Sequence, residues 1–511
     1  MREQITRRTA ARWLAAAAAL PACAGQSGGE VLYNGIRLPD IWPPVRDAVP
    51  YEPMECPYLA APPAVIPIDV GRQLFVDDFL IADSTLERVF HQAVYHPACP
   101  LVKPEHPWES TARGAVSMVF SDGVWFDPAD RLFKMWYMSG YWGPTAYAFS
   151  EDGIRWTKPR LDVVPGTNIV LDTPRGSTTV WLDLETTDPK RRWVFFRQRQ
   201  TNPPTFGLHY SADGIHWGPE VANSGPAKDR STMFYNPFRK KWVYSVKDDN
   251  RNGRIRRYLE NQDAVAGMNW KRFDPVPWVG ADRLDPQRSD LKKGCQLYNL
   301  DVAAYESVML GLFNIWRGQP DGRPKPNEVV AAYSRDGFHW HRPDRRPLVP
   351  VSEHYGDWNW GNVQSAGGCY VPVGDKLYFY VSGRAGIPGT KDSGVCTTGL
   401  AVLRRDGFAS MRAGDRAGTL TTRPLRFQGK RLFVNAAVRK GELRVEALDK
   451  DGRVIEPFTR AACVPVRTDS TKIEIRWKKA GDVAALANRD VRFRFHLRAG
   501  DLYAFWTHST T

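Results

Sequence analysis

The sequence predicts an all-β protein, a five-bladed β-propeller followed by a small β-sandwich. Three observations predict it. A seven-residue phrase occurs three times, as "SEDGIRW" at residues 150–156, "SADGIHW" at 211–217 and "SRDGFHW" at 334–340. Each copy closes a longer unit that reads strand, turn, strand, loop, strand. The composition agrees: 19 Trp, 42 Gly and 39 Pro in 511 residues, with no long run of helix formers after residue 22, favour short strands joined by turns.

Residues 1–24 read as an export signal. "ITRRTAARWLAAAAALPACAG" has a basic start (Arg7, Arg8, Arg12), a short apolar stretch to Leu20 and small residues beyond it, too short a stretch for a membrane span. The Arg7-Arg8 pair resembles a twin-arginine signal but lacks the large apolar residue that usually follows, so a general secretory route stays open. "LPAC" at 20–23 resembles a lipobox, which would put a lipid on Cys23; cleavage after Ala24 is the other reading. The expectation is an exported protein: periplasmic, anchored in the outer membrane as a lipoprotein, or secreted. Any membrane association would run through Cys23 alone.

Residues 25–66 are Pro-rich and predict an extended lead-in. "RQLFVDDFLI" at 72–81 predicts a strand that helps close the ring. In the propeller, assigned to residues 67–418, the units align on the residue before the glycine at positions 152, 213, 266, 336 and 406, steps of 61, 53, 70 and 70. That period suits a propeller blade and is too long for a solenoid coil. In the repeated phrase Gly supplies a positive-φ turn, Asp bonds nearby backbone and Trp packs between sheets, so its aspartates are structural. Residues 419–511 alternate apolar and polar with tight turns, as expected of a sandwich.

The formal charge is +14, and removal of residues 1–22, with four Arg and one Glu, leaves +11. In an exported protein such a field attracts acidic polysaccharides or envelope surfaces, and no nucleic-acid-binding motif is present. Without Cys23 there are six Cys, widely spaced, which fits free buried thiols; Cys369 and Cys396, in one repeat, are the first pair to test for a disulfide. The ten His show no metal-binding spacing, so no metal and no cofactor is expected. Oligomeric state is not legible.

Side chains at the starts of inner strands share one mouth of a propeller with the loops after second strands. Asp122 in "FSDGVWFDP", Asp229 in "KDRSTMFYNP" and Glu328 in "KPNEVVAAYS" fall there, and paired carboxylates are what hydrolysis of a glycosidic bond requires. Asp77, Asp78 and Glu109 are reserve acids. Arg197, Arg317 and Arg384 end second strands and suit a carboxylate, sulfate or phosphate on the substrate, or else pair with the acids. Trp316, Trp358 and Trp360 offer faces for a sugar, and Asn362 and Gln364 can bond hydroxyls.

These features together ("LFVDDFLI", "PWES", "FKMWYMSGY", the repeated phrase, a trailing sandwich) resemble the arabinanase, levansucrase and invertase superfamily of five-bladed glycosidases, in particular exported members similar to glycoside hydrolase family 32. The resemblance spans residues 70–511. It implies a glycoside hydrolase acting on a poly- or oligosaccharide, anionic or furanose-containing, with carbohydrate as its partner. The "NDPNG" and "RDP" motifs of invertases are missing, which leaves retention or inversion open. A sialidase-like six-bladed hydrolase and a non-catalytic glycan-binding propeller are the rival readings.

Overall fold

The computed structural model describes residues 29–291 and 294–508, and the chain over these residues is nearly all β. The expected export signal lies outside them. No helix among the described residues is long and apolar enough to cross a membrane.

Five small sheets follow one another along the chain. The first holds Ser117–Asp127, Leu132–Ser139, Thr145–Ser150 and Ile169–Leu171; the second Thr178–Leu182, Trp193–Arg199, Thr205–Ser211 and Ala222–Asn223. The third holds Thr232–Asn236, Lys241–Asn250, Gly253–Asn261 and Val276–Gly280, and the fourth Gln296–Tyr305, Val308–Trp316 and Asn327–Ser334. The fifth is built on Asn362–Ser365, Lys376–Arg384 and Cys396–Arg404, with Val94–Tyr95 as its outer strand. Each sheet packs on the next, and the fifth packs on the first.

The repeated phrase makes the same local structure three times. Ser150, Ser211 and Ser334 hydroxyls accept the amide of Gly153, Gly214 and Gly337 at 2.8, 2.9 and 2.9 Å. Asp152, Asp213 and Asp336 each accept two further backbone amides through Oδ1, all at 2.8–2.9 Å. The turn then presses on the preceding sheet. Tyr380 donates to the Gly153 carbonyl, Trp136 to that of Gly214 and Trp278 to that of Phe338, each at 2.7 Å. The phrase is therefore a clasp between neighbouring sheets, and it links the first sheet to the fifth. A side chain at Gly214, where φ is +81°, would put a Cβ 2.4 Å from the Trp136 ring. Gly214→Ala is expected to cost about 2 kcal/mol, through strain and overpacking, read as a lowered midpoint in chemical denaturation.

The two degenerate units depart from the expected alignment. In the third sheet Asp263, not residue 266, accepts the two amides, from Val265 and Ala266. Asp406 instead sits at φ +60°, buried against Arg72 at 2.7 Å.

Two six-stranded sheets complete the chain, and they differ from the expected division at residues 67 and 419. One joins Gly418–Thr422, Glu442–Asp449 and Val491–Arg498 to the early strands Ile66–Pro67 and Ile81–Ser84. The other joins Ala409–Ala413, Arg431–Ala437 and Gly500–His508 to Gln73–Leu74 and Glu87–Phe90. Residues 72–81 therefore do not form the ring-closing strand: Gln73–Leu74 pairs with Phe505 and Ala504, and Ile81 begins the strand Ile81–Ser84 of the other large sheet. Val94–Tyr95 closes the ring, on Ala401 and Val402. Both large sheets share one apolar cluster that includes Phe75, Phe493, Phe495 and Phe505. Among the described residues six cysteines are free, Cys369 and Cys396 included.

Candidate functional site

Asp77 is fixed by structure rather than held free for chemistry. Its carboxylate is fully buried and receives the Arg335 guanidinium through two nitrogens, at 2.8–3.1 Å. Asp78 is exposed and pairs with Arg88. Glu109 is buried and accepts from Tyr137 at 2.8 Å, Lys158 at 2.9 Å and the backbone of Glu105 and His106, which leaves it capping the short helix Pro107–Glu109.

The three expected catalytic acids stand in different surroundings. Asp122 lies on a bulge between Met118 and Gly123, deep in the channel lined by the inner strands, with no exposed surface. It accepts from Arg175 at 3.0 Å, and its Oδ1 has no partner. Burial pushes its carboxyl up to about 6 in spite of Arg175. Glu328 is held by Arg317 at 2.9 Å and by the Val351 amide at 3.3 Å. Asp229, at the start of the third sheet, keeps 40% of its side chain exposed and bonds Lys247 at 2.7 Å. Burial would raise its carboxyl, but Lys247, helped by Arg230 and Arg256, brings it below the usual carboxylate range.

Asp122 also links the channel to stability. Its folded value lies above the ordinary carboxylate value of about 4, so its contribution is fully present below that pH and is lost as pH rises through about 6. Comparing the native chain with Asp122→Asn, the native stability should decline relative to the variant between about pH 4 and 6, measured by denaturant titration.

Of the expected cations, Arg197 bonds Thr173 at 3.1 Å and Arg317 is taken up by Glu328. Arg384 has no carboxylate partner among the described residues; it bonds Tyr141 at 3.2 Å and Ser393 at 2.8 Å. Trp358 is not a sugar platform. Its ring fills the space over Gly383 and Gly399 and meets Tyr95 edge-on at 5.5 Å. Trp360 lies under Arg323, with 4.8 Å from guanidinium to ring, and Trp316 under Arg254 at the same distance. Asn362 and Gln364 are buried and bond each other, with Asn362 also donating to the Lys325 carbonyl.

The cluster that does converge on the mouth was only partly legible. Arg230, beside Asp229, is fully buried and donates to Ser121 at 3.0 Å and to the Phe120 carbonyl at 3.2 Å. Arg256 is equally buried and donates to the backbone of Arg230 at 2.8 Å and of Tyr298. Burial and the like charge of Arg230 bring it down to about 9. Arg230, Arg256 and Arg384 all lack a carboxylate partner among the described residues, and each has an unpartnered Nε. Beneath them Asp301 is buried on Ser121, Asn299 and Ser365.

Tyr298 stands at the centre. It occupies a bulge between Leu297 and Asn299, with Lys325 4.9 Å and Arg254 5.4 Å from its ring centre. Burial would raise its phenol, but Lys325, Arg384 and Arg230 outweigh that and the opposing charge of Asp229, and bring it down to about 8. Tyr298 lies in the stretch "QLYNLDV", and nothing in that pattern marks a titrating phenol. Ultraviolet difference titration should show one tyrosine ionising near pH 8, absent in Tyr298→Phe.

No group of His, Cys, Asp and Glu suited to a metal ion occurs among the described residues. No protein family profile matches the chain. No curated protein matches it. Among solved structures it is similar to glycoside hydrolases of the propeller type. A thermostable family-43 glycoside hydrolase is 11% identical over 60% of this chain and 96% of that one, with a TM-score of 0.40. The family-32 β-fructofuranosidase of Bombyx mori is 12% identical over 81% of this chain and 95% of its own, with a TM-score of 0.39. A family-43 arabinoxylan arabinofuranohydrolase from Bacillus subtilis is 9% identical over 82% and 99%, with a TM-score of 0.36. At such identities the chemistry has to be read from the site itself.

Proposed function

We propose that the chain is an exported glycoside hydrolase, a five-bladed β-propeller packed on a β-sandwich, whose cationic mouth acts on a saccharide bearing an anionic group. The observation that carries this reading is uncompensated charge. Arg230, Arg256 and Arg384, with Lys325 and Arg254 near them, surround Tyr298, and they outnumber the two carboxylates that face them: Asp301, bonded to Ser121, Asn299 and Ser365, and Asp229, itself paired with Lys247. Guanidiniums stripped of water and left without carboxylates favour an oxyanion from outside, which their planar forks bind with paired hydrogen bonds.

The acid and base follow from two titrating groups beside the cations, the buried Tyr298 and the half-buried Asp229. Tyr298, protonated at neutral pH yet more acidic than an ordinary phenol, gives its proton to the leaving-group oxygen as the glycosidic C–O bond breaks. Asp229, kept ionised, takes a proton from the water that bonds to the anomeric carbon. The proton on Asp229 then returns to the Tyr298 phenolate through solvent. Asp122, sealed against Arg175, supports the channel from below.

Five small sheets in succession among the described residues favour this ring over the six-bladed, sialidase-like alternative. The export signal of residues 1–24, with release to the periplasm, secretion or lipidation of Cys23, belongs to the same reading. The test is reducing-end release by purified protein from acidic polysaccharides, such as polygalacturonate and hyaluronate, and from neutral ones. Activity should appear on an acidic substrate and fall as pH rises above about 8, because the phenolate has no proton to give and adds negative charge to the site. Tyr298→Phe should be far slower and lack that alkaline limb. Hydrolysis confined to neutral polysaccharides would refute the reading.

A further inference from the structure

At the opposite end of the inner strands the molecule carries a cavity of about 620 Å³, where the small sheets meet the large sheet that holds Arg431–Ala437 and Gly500–His508. Its walls come from the far ends of inner strands: Trp125, Trp181, Tyr235 and Tyr305, with Tyr370 beside them. Thr471 and Lys472 of the strand Asp469–Ile475, in that large sheet, form part of its rim.

The cavity is separated from the cationic mouth. The backbone at Gly367 and Gly368 crosses beneath Asp122 so closely that a Cβ on Gly367 would lie 2.8 Å from the Ser121 carbonyl oxygen. One on Gly368, where φ is +77°, would lie 2.8 Å from the Trp125 ring. A side chain at either glycine would clash, and none of Arg230, Arg256, Tyr298 and Arg384 lines the cavity.

Its charge is balanced, unlike the mouth's. The lining holds four cations and four carboxylates, and most are satisfied within the protein. Arg405 pairs with Glu306 at 3.1 Å and Arg72 with Asp406 at 2.7 Å. Asp375 accepts from Thr471, and Glu185 accepts from Tyr235 at 2.7 Å. A balanced rim gives an ion no net attraction. What it offers is aromatic surface, suited to the C–H faces of a pyranose ring, beside carboxylates that can accept hydrogen bonds from hydroxyls.

We infer that this cavity is a second saccharide site, for an uncharged oligosaccharide, distinct from the cationic mouth. It does not depend on the hydrolase reading, since the two ends share no lining residue discussed above. The partner chemistry is a neutral pyranose chain of a few units, as the volume is in the range of ordinary ligand pockets.

The test titrates the full chain with unbranched tetrasaccharides of glucose, mannose, xylose and galactose, and with tetragalacturonate, by saturation-transfer NMR and tryptophan fluorescence. At least one neutral tetrasaccharide should bind the native protein and Arg384→Ala equally. Its affinity should fall at least tenfold in Tyr235→Ala and in the more conservative Glu185→Gln, and tetragalacturonate should not displace it. The inference is overturned if no neutral tetrasaccharide binds, if both cavity substitutions leave binding unchanged, or if binding disappears with Arg384→Ala. Loss of hydrolysis at the mouth with retained neutral-sugar binding would leave this site standing and bear only on the hydrolase reading.

Discussion

Asp229→Asn is expected to lower kcat on an acidic saccharide by about 10²–10⁴, the range general acid–base groups contribute, with KM changed far less. The amide keeps the size and one hydrogen-bond acceptor of the carboxylate, so Lys247 retains a partner on the exposed side of the site. What is lost is the negative charge opposite the developing oxocarbenium ion and the group that accepts a proton from water. Because Asp229 opposes Lys325 and Arg384 at Tyr298, its removal should also lower the phenol further and move the alkaline limb toward neutral pH. Stopped assays of reducing-end release across pH 5–9, about the range where these groups titrate, would check both effects. An unchanged kcat in Asp229→Asn would remove Asp229 from the mechanism, whereas saccharide binding with no hydrolysis by the native chain would favour the non-catalytic glycan-binding propeller.

Asp77→Ala is expected to be the most damaging single change to stability, about 3–5 kcal/mol, because it leaves a buried guanidinium without its charge partner. Arg335 has only 2% of its surface exposed, donates to Asp77 through two nitrogens and lies over the Phe79 ring at 4.6 Å. It belongs to the fourth-sheet copy of the repeated phrase, so the pair fastens the ring to the segment before it. Asp77 titrates below the usual range, with burial working against it and Arg335 for it. The sign follows: its contribution is present above the ordinary carboxylate value of about 4 and is lost as pH falls through the lowered folded value. Denaturant melts at pH 7, with Asp77→Leu paired to Arg335→Met as the apolar replacement, would check this. The double variant should recover much of the loss, and kcat should stay near native in all of them, since the pair is remote from Asp229 in function.

The repeated phrase made the ring legible because its chemistry is local. Ser, Asp and Gly close a turn through bonds spanning three residues, so sequence spacing alone reports it. The same reasoning slipped where the turn degenerates: Asp263 does the work three residues ahead of the aligned position, and Asp406 bonds Arg72 across the fold. Edges were less visible than centres. Two-residue strands such as Gln73–Leu74 and Val94–Tyr95 carry no periodicity, and only their partners decide which sheet they join.

The site divides in the same way. Asp229 and Arg384 are picked out by their place at strand ends, whereas Glu328 and Arg317 satisfy each other, a pairing that spacing does not record. Trp358 looked like a platform because it stands in a polar loop, yet Gly383 and Gly399 leave a slot that its ring fills. Tyr298 could not be found at all, since its acidity is made by cations from three different sheets.

The most direct measurement is kcat/KM for an acidic oligosaccharide and for its carboxyl-reduced neutral counterpart, in the native chain and in Arg384→Ala. Arg384 is the buried guanidinium that bonds no carboxylate and donates to Tyr141 and Ser393 at the mouth. A charge-assisted hydrogen bond to substrate is worth about 1.5–3 kcal/mol, so the acidic substrate should lose about 10- to 150-fold and the neutral one only a few-fold. Equal losses on the two substrates would contradict an anion-selective mouth.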